Sequence, residues 1–228
     1  MNLYQNLNDI KQLILQTELE CNRKPGSTLL LAVSKQQSVE SITQLFHLGV
    51  TDFGESYFQE AHQKINALRD LPIQWHFIGP IQSNKTKGIA SEFSWVHSVN
   101  RFKIAQKLSE HRSYEMTPLN ICLQINLVEE ETKSGIPPHQ ASKLAAAVSQ
   151  LPNLRLRGLM TIPPPIRGIE SQYQLFNQLK QLMNSVNLEL GLKMDTLSMG
   201  MSDDLIPAIK AGATIVRIGR GLFGERQK

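Results

Sequence analysis

Short apolar segments alternate with longer amphipathic segments along most of the chain, and this alternation limits the folds open to it. Seven clear apolar segments span residues 29–33, 75–78, 95–99, 119–127, 154–162, 196–199 and 214–218, and residues 52–54 form a weaker eighth. Between them, apolar side chains recur at helical spacing, as in Ile42, Leu45 and Phe46. Strands separated by helices pair in parallel, and eight such units favour a closed (β/α)8 TIM barrel. An open doubly wound sheet stays the alternative.

The N-terminal segment predicts a helix outside this pattern. Leu3, Leu7, Ile10, Leu13 and Ile14 recur at helical spacing, so residues 2–20 form an amphipathic helix, which the Pro-Gly pair at 25–26 ends. A length of 228 residues suits one barrel domain. We therefore expect a single domain over residues 1–228, an α/β barrel with an additional N-terminal helix.

Composition excludes several classes of protein. The 24 Lys and Arg residues and 20 acidic residues leave a net charge of +4 that is scattered along the chain, which does not indicate a nucleic-acid partner. Cys21 and Cys122 are the only cysteines, which suits a reducing compartment and gives no metal-ligand spacing. The N-terminal segment has no apolar stretch long enough for a signal peptide or membrane span. We expect a cytoplasmic protein without a metal or a membrane partner.

Lys35 is the first candidate for chemistry. It follows the apolar strand at residues 29–33 and so lies at the C-terminal rim, where barrel active sites are built. In a low-dielectric rim the pKa of a lysine falls, and its free amine can attack a carbonyl. A solvated lysine that merely follows the strand is the alternative.

The last two loops suggest an anion site. Loops after strands seven and eight commonly bind phosphate in such barrels, and here they contain Gly200, Ser202, Gly219 and Gly221. The glycines allow close backbone approach, and Ser202 is a candidate N-cap of a helix over residues 203–210. Backbone amides at a helix start bind phosphate. Ordinary capping and turn roles are the alternative.

Arg217 lies inside the predicted last strand, and a buried cation requires a partner. If a phosphate lies at Gly219 and Arg220, Arg217 is placed to reach the heterocycle that carries it. The alternative is a structural salt bridge to a barrel carboxylate such as Glu55.

Two further strand ends carry polar side chains. His76 lies in the third strand and is either a ligand contact or a hydrogen-bonded core residue. Asn84 is first a candidate helix N-cap and second a ligand contact. Asn126 and the loop at 133–135, which follow the fifth strand, have the same two interpretations.

Several segments together, in this order, carry a family resemblance: Ala32-Val33-Ser34-Lys35, Phe53-Gly54-Glu55, residues 75–85, residues 133–135, Gly158-Leu159-Met160, residues 197–204 and Val216-Arg217-Ile218-Gly219. They resemble the pyridoxal phosphate homeostasis protein family, and the resemblance covers essentially the whole chain. It implies a single-domain barrel, similar to the N-terminal domain of bacterial alanine racemase, that binds pyridoxal 5'-phosphate (PLP) as an internal aldimine.

The resemblance also implies roles for individual residues. Lys35 is the Schiff-base lysine, and Arg217 faces the pyridine nitrogen. The phosphate is held by Ser198, Gly200 and Ser202 together with the amides of Gly219 and Arg220. The pocket around the lysine and the ring is lined by Glu55, His76, Asn84 and Met160.

Two positions depart from the family pattern. Ser56 stands where asparagine is usual, which shortens a polar side chain near the cofactor. Arg220 stands where threonine or serine is common, so a hydroxyl contact to phosphate is lost while a backbone amide contact survives, and the guanidinium can partly replace the hydroxyl.

The same features favour a carrier over a high-turnover enzyme. A protonated Arg217 disfavours protonation of the pyridine nitrogen and makes the ring a poor electron sink. Related racemases add a tyrosine base from a second domain; since this sequence ends at Lys228, we expect no such domain here. We expect vitamin B6 homeostasis by a monomer that binds PLP and supplies PLP-requiring apoenzymes. An amino-acid racemase and a Schiff-base aldolase that acts on a phosphorylated sugar are the alternatives.

Overall fold

All eight apolar segments form β-strands in the computed structural model, which describes residues 2–128, 134–165 and 167–224. The strands are β1 Leu29–Val33, β2 Asp52–Glu55, β3 Gln74–Phe77, β4 Trp95–Val99, β5 Leu119–Gln124, β6 Leu154–Met160, β7 Thr196–Ser198 and β8 Ile215–Ile218. The weak segment at 52–54 becomes a full member of the sheet because its residues pair with β3 from Asp52 to Glu55.

The strands close into a parallel barrel in sequence order. β1 pairs with β8 in a register that places Leu29 opposite Ile215 and Ala32 opposite Ile218. This closure confirms the predicted barrel and excludes the open sheet. It also brings the residues that follow β1 beside those that follow β8, although more than 180 positions separate them in sequence.

Helices follow the strands and cover the barrel. They are α1 Leu3–Glu20, α2 Val39–His47, α3 Phe58–Ala67, α4 Thr86–Glu92, α5 Phe102–His111, α6 Ala141–Val148, α7 Ile169–Leu190, α8 Leu205–Lys210 and α9 Arg220–Phe223, with a 3-10 turn at Pro138–Gln140. Their apolar faces and the strands form one buried core, which includes Ile42, Phe53, Leu108 and Phe176. Within the described residues, no helix is both long enough and apolar enough to cross a membrane.

The predicted N-terminal helix is confirmed as α1, which packs against α8 and α9. Leu7 and Ile14 are buried on its inner face, and the Asn6 amide donates to the carbonyl of Leu222 at 2.9 Å. At its other end, the buried Glu18 carboxylate accepts from the backbone N–H groups of Gly26 at 2.8 Å and Thr28 at 2.6 Å. The helix α1 thus fixes the segment that leads into β1.

Several local boundaries differ from the sequence prediction. Ser202 does not cap α8, because its hydroxyl accepts from the Gly221 N–H and α8 starts later, with Asp204 at the N-cap. Asn84 lies in the turn before α4, whose N-cap is Lys85. The fifth strand ends at Gln124 rather than at residue 127, because the chain then leaves the ladder and pairs only through an isolated bridge at Ile125.

Candidate functional site

A cavity of about 490 Å³ opens at the C-terminal end of the barrel. This volume lies within the usual range for small-molecule sites, about 300 to 1,000 Å³. The wall is built from residues at the ends of six strands or in the loops that follow them: Val33, Lys35, Ser56, Ile78, Ile162, Met201, Ser202, Asp203, Arg217, Gly219 and Arg220. The rim predicted from the sequence is therefore a real concave site.

Lys35 lies in the turn that follows β1, and its two neighbours are held by the same group of side chains. The carbonyl of Ser34 accepts from Lys64 Nζ at 2.7 Å, and the N–H of Gln36 donates to Glu60 Oε1 at 2.5 Å. Gln36 has a left-handed backbone with φ of 62°. The peptide groups on both sides of Lys35 are thus fixed by side chains from α3.

Glu55 belongs to this support and not to the cavity wall. It is fully buried and pairs with Lys64 Nζ at 2.9 Å, while its Oε1 also accepts from the Ser34 hydroxyl at 2.7 Å. Burial raises the pKa of Glu55, and the nearby Lys64 charge opposes that rise. The alternative in which Arg217 forms a salt bridge with Glu55 is therefore wrong, since Lys64 is the partner of Glu55.

Arg217 is a buried cation on the cavity wall. Its guanidinium donates to Ser198 Oγ at 2.9 Å and to the carbonyl of Thr161 at 2.8 Å. Burial lowers the pKa of Arg217 to about 10, against the opposing charge of Asp204, so the group stays protonated at neutral pH. The last strand thus presents a fixed positive charge to the cavity.

The loops after β7 and β8 meet on the cavity wall. Ser202 and Gly219 both line the cavity, and the Ser202 hydroxyl accepts from the Gly221 N–H at 3.0 Å. The Arg220 guanidinium pairs with the Asp203 carboxylate. Hydroxyl, guanidinium and glycine backbone together suit an anion such as a phosphate.

A primary amine, a buried cation and two loops whose groups suit an anion therefore share one cavity. PLP carries an aldehyde, a ring nitrogen and a phosphate, and the residues on the wall match these three features by type. The residues present fit this cofactor.

Six predicted contact residues lie outside the described cavity wall: Ser198, Gly200, Met160, His76, Asn84 and Glu55. Ser198 and Met160 are buried at the ends of their strands. Asn84 is exposed. The backbone of Gly200 packs against α8, since a Cβ there would lie 2.5 Å from the Cβ of Ala208. Their contacts with the cofactor stay predictions, and Lys133 lies outside the described residues.

The sequence did not predict the series of hydrogen-bonded side chains that lies behind Arg217. Ser198 Oγ lies 2.7 Å from His97 Nδ1, and His97 Nε2 lies 3.0 Å from His76 Nδ1. His76 in turn reaches Asp52 Oδ1 at 3.0 Å. The signal in the sequence was a histidine in each of two neighbouring strands. In the part of the chain that the structure describes, no group of three or more histidine, cysteine or acidic side chains is placed to hold a metal ion.

Comparisons with known proteins agree with this geometry. The family model for the alanine racemase N-terminal domain matches residues 4–227. A pyridoxal phosphate homeostasis protein of Pseudomonas aeruginosa is 51% identical over 222 residues, which are 97% of this chain and 95% of that protein.

Solved structures show the same barrel. PipY of Synechococcus elongatus, solved with PLP bound, has a TM-score of 0.86 at 31% identity, over 98% of this chain and 100% of its own. An alanine racemase from Corynebacterium glutamicum has a TM-score of 0.70 at 15% identity, over 99% of this chain and 61% of that one. The second likeness shows the fold alone.

Proposed function

This chain belongs to the alanine racemase N-terminal domain family and, within it, to the pyridoxal phosphate homeostasis proteins, and we propose that it binds PLP through Lys35 and serves vitamin B6 homeostasis without high-turnover catalysis. One observation carries the proposal. Lys35, Arg217, Ser202 and Gly219, which come from opposite ends of the sequence, line one cavity.

When bound, PLP supplies an aldehyde that reacts with a primary amine. Lys35 is the amine at the cavity wall, and its flanking peptide groups hold it at the rim. Ser202 and the backbone of Gly219 and Arg220 bind the phosphate, with Ser198 and Gly200 behind them. Arg217 faces the pyridine nitrogen.

Two features support a carrier. Since Arg217 keeps its proton at neutral pH, it disfavours a second positive charge on the ring nitrogen and weakens the ring as an electron sink. None of the four tyrosines, all of which the structure describes, lines the cavity, so no phenol is placed there as a second acid-base group. PLP binding without fast amino-acid turnover follows from both.

The test is to load the purified protein with PLP, reduce it with borohydride and locate the added mass. We expect a visible absorption band before reduction and the mass of the cofactor on the peptide that contains Lys35. In Lys35→Ala both are lost. Lys103→Ala, which removes an exposed lysine on α5, is the control and keeps both. A protein that stays colourless with saturating PLP contradicts the proposal.

The same experiments separate the alternatives. A fragment of a sugar phosphate trapped on Lys35 indicates a Schiff-base aldolase. Rapid incorporation of solvent deuterium at the Cα of an amino acid indicates a racemase.

Finer parts of the function are also proposed. The chain acts as one domain over residues 1–228, as a cytoplasmic monomer, and it supplies PLP to apoenzymes that require it. Light scattering at several concentrations tests the monomer. Transfer is tested by mixing the loaded protein with a PLP-requiring apoenzyme and comparing its activation rate with that given by free PLP at the same concentration.

A further inference from the structure

A continuous chain of side chains crosses the inside of the barrel from Asp52 to Arg217. The links are His76 Nε2 to Asp52 Oδ1 at 3.0 Å, His97 Nε2 to His76 Nδ1 at 3.0 Å, Ser198 Oγ to His97 Nδ1 at 2.7 Å and Arg217 to Ser198 Oγ at 2.9 Å. Both histidines and Ser198 are fully buried. We refer to these five residues as the buried chain.

The two ends of the buried chain fix the direction of every hydrogen bond in it. A guanidinium can only donate and an ionised carboxylate can only accept. Burial would raise the pKa of Asp52, but the hydrogen bonds from His76 and Thr51 lower it overall, so the carboxylate is ionised. Burial lowers the pKa of His76 and of His97, so both rings are neutral and each has one donor and one acceptor nitrogen.

The order of donors then follows step by step. His76 donates from Nε2 to Asp52, so its Nδ1 accepts from His97 Nε2. His97 Nδ1 therefore accepts the proton of the Ser198 hydroxyl. That leaves a lone pair of Ser198 directed at Arg217. All donors point from Arg217 towards Asp52, an arrangement in which each bond polarises the next.

We propose that His76 and His97 are positioning residues of the cofactor site, which lock the Ser198 hydroxyl so that it accepts from Arg217 and holds the guanidinium against the cavity. The proposal rests on the proposed function, because Arg217 is the residue that faces the cofactor ring. Without the two histidines the hydroxyl can rotate and compete with Arg217 for other acceptors.

This proposal gives Ser198 a role that the sequence did not predict. Its hydroxyl donates to His97 and accepts from Arg217. Ser198 therefore acts beneath the site instead of donating to the phosphate. Other charged or titratable groups face the chain: Asp204 and the neutral Cys122 thiol lie near Arg217, and the charge of Arg217 acts on His97.

The first test needs no cofactor. Nitrogen-15 NMR of labelled apoprotein assigns the tautomer of each histidine, and we expect the Nε2–H form for both His76 and His97. Neither ring should be protonated at neutral pH, because burial lowers both pKa values. An Nδ1–H form of either ring, or a doubly protonated ring at neutral pH, overturns the proposal. Since PLP is absent, failure of cofactor binding does not affect this result.

The second test compares His97→Leu with His97→Gln in the holoprotein. Leucine removes the acceptor for the Ser198 hydroxyl, so the charge-assisted hydrogen bond from Arg217 to Ser198 is no longer held in place. We expect PLP affinity to fall about tenfold, with a shift of the visible band. Glutamine keeps an acceptor oxygen and a donor nitrogen, so His97→Gln should have the visible band of the wild type. Ser109→Ala is the control, since it removes a buried hydroxyl that bonds to the Pro152 carbonyl away from the cavity.

A double-mutant cycle shows whether His97 acts through Ser198. Ser198→Ala should give the same loss and the same band shift as His97→Leu, and the double variant should be no worse than either single one. Additive losses overturn the proposal, as does a folded His97→Leu protein with the wild-type affinity and band. If His97→Leu does not fold, the glutamine and alanine variants and the tautomer assignment still decide the question.

Discussion

Lys64 is the residue on which the geometry around Lys35 depends. Its ammonium has three N–H donors, and each has an acceptor: the Ser34 carbonyl at 2.7 Å, Glu55 Oε1 at 2.9 Å and Glu60 Oε1 at 2.5 Å. The other oxygen of Glu55 is buried and has no hydrogen-bond partner among the described residues. Lys64 is therefore the cation that offsets the cost of burying the Glu55 carboxylate.

We expect Lys64→Met to lower the free energy of unfolding by about 3 kcal/mol at neutral pH, because it leaves a buried carboxylate without its cation. The pKa of Glu55 is already raised by burial, and loss of Lys64 raises it further. A carboxyl whose pKa is raised on folding stabilises the protein at low pH and loses that stabilisation as pH rises through its folded value. The loss should therefore be smaller near pH 5 than near pH 8.

Urea unfolding of the wild type and of Lys64→Met at both pH values measures this difference. Lys64→Arg, which keeps the charge, is the control and should show a weaker dependence on pH than Lys64→Met. A methionine variant equally destabilised at both pH values contradicts the assignment of the effect to Glu55.

The sequence predicted the site residues that contact the cavity better than those that support them. Lys35 and Arg217 could be predicted because a lysine just after an apolar strand and an arginine inside one are unusual. Lys64 and His97 could not, because each looks ordinary in its own segment and gains its role from a partner on another strand or helix. His76 is a buried, hydrogen-bonded residue of the barrel interior, and its contact with the cofactor stays a prediction.

At the scale of elements, the junction of β7 and α8 sets the position of the anion loop. Gly200 has a φ of 92°, and a Cβ there would lie 2.5 Å from the Cβ of Ala208 on α8. Since Ala208 is fixed to a buried helix, the helix or the loop must move to admit a side chain. Gly200 thus keeps the following residues, Ser202 and Asp203, at the cavity wall.

We expect Gly200→Ala to destabilise the protein and to weaken PLP binding together. The matched control is Gly49→Ala, at φ of 87° with no atom within 4 Å of the added Cβ. Backbone strain alone should lower the stability of the control by about 1 kcal/mol. Overpacking should add about 2 kcal/mol at Gly200.

Thermal unfolding and PLP titration of both variants measure the two effects. PLP affinity should fall only in Gly200→Ala, because only that substitution displaces the anion loop. Equal affinity in the two variants would show that the packing of α8 does not control the site.

Strand positions could be predicted from the sequence more reliably than strand and helix ends. The segments at 29–33 and 95–99 match β1 and β4, since apolar residues bounded by polar ones mark a buried strand. The start of α8 was misplaced because Ser202 is a good cap by type, yet its hydroxyl is engaged by Gly221, nineteen residues further on. No local pattern reports such a contact.

At the scale of the whole molecule, barrel closure creates the site. β1 and β8 pair directly, and only this pairing brings Lys35 to Arg217 and Gly219. The count and order of the strands predicted the closure. The sequence did not predict what fills the barrel under the site, because the links of the buried chain join five different strands.

The buried chain also makes the stability of the whole molecule depend on pH. Burial, together with the charge of Arg217, holds the pKa of His97 well below its usual range, so the folded protein does not protonate it near neutral pH. The unfolded chain does so near its ordinary pKa of about 6.5. Below that value the unfolded state binds more protons, so the free energy of unfolding falls as pH falls. Between about pH 7.5 and 5.5, one such histidine lowers the free energy of unfolding by roughly 1 kcal/mol.

We expect this part of the decline to be absent from His97→Gln, whose side chain does not titrate, while the carboxylates contribute equally to both proteins. Urea unfolding of the two apoproteins at both pH values gives the difference directly, and parallel declines would mean that His97 is protonated inside the barrel.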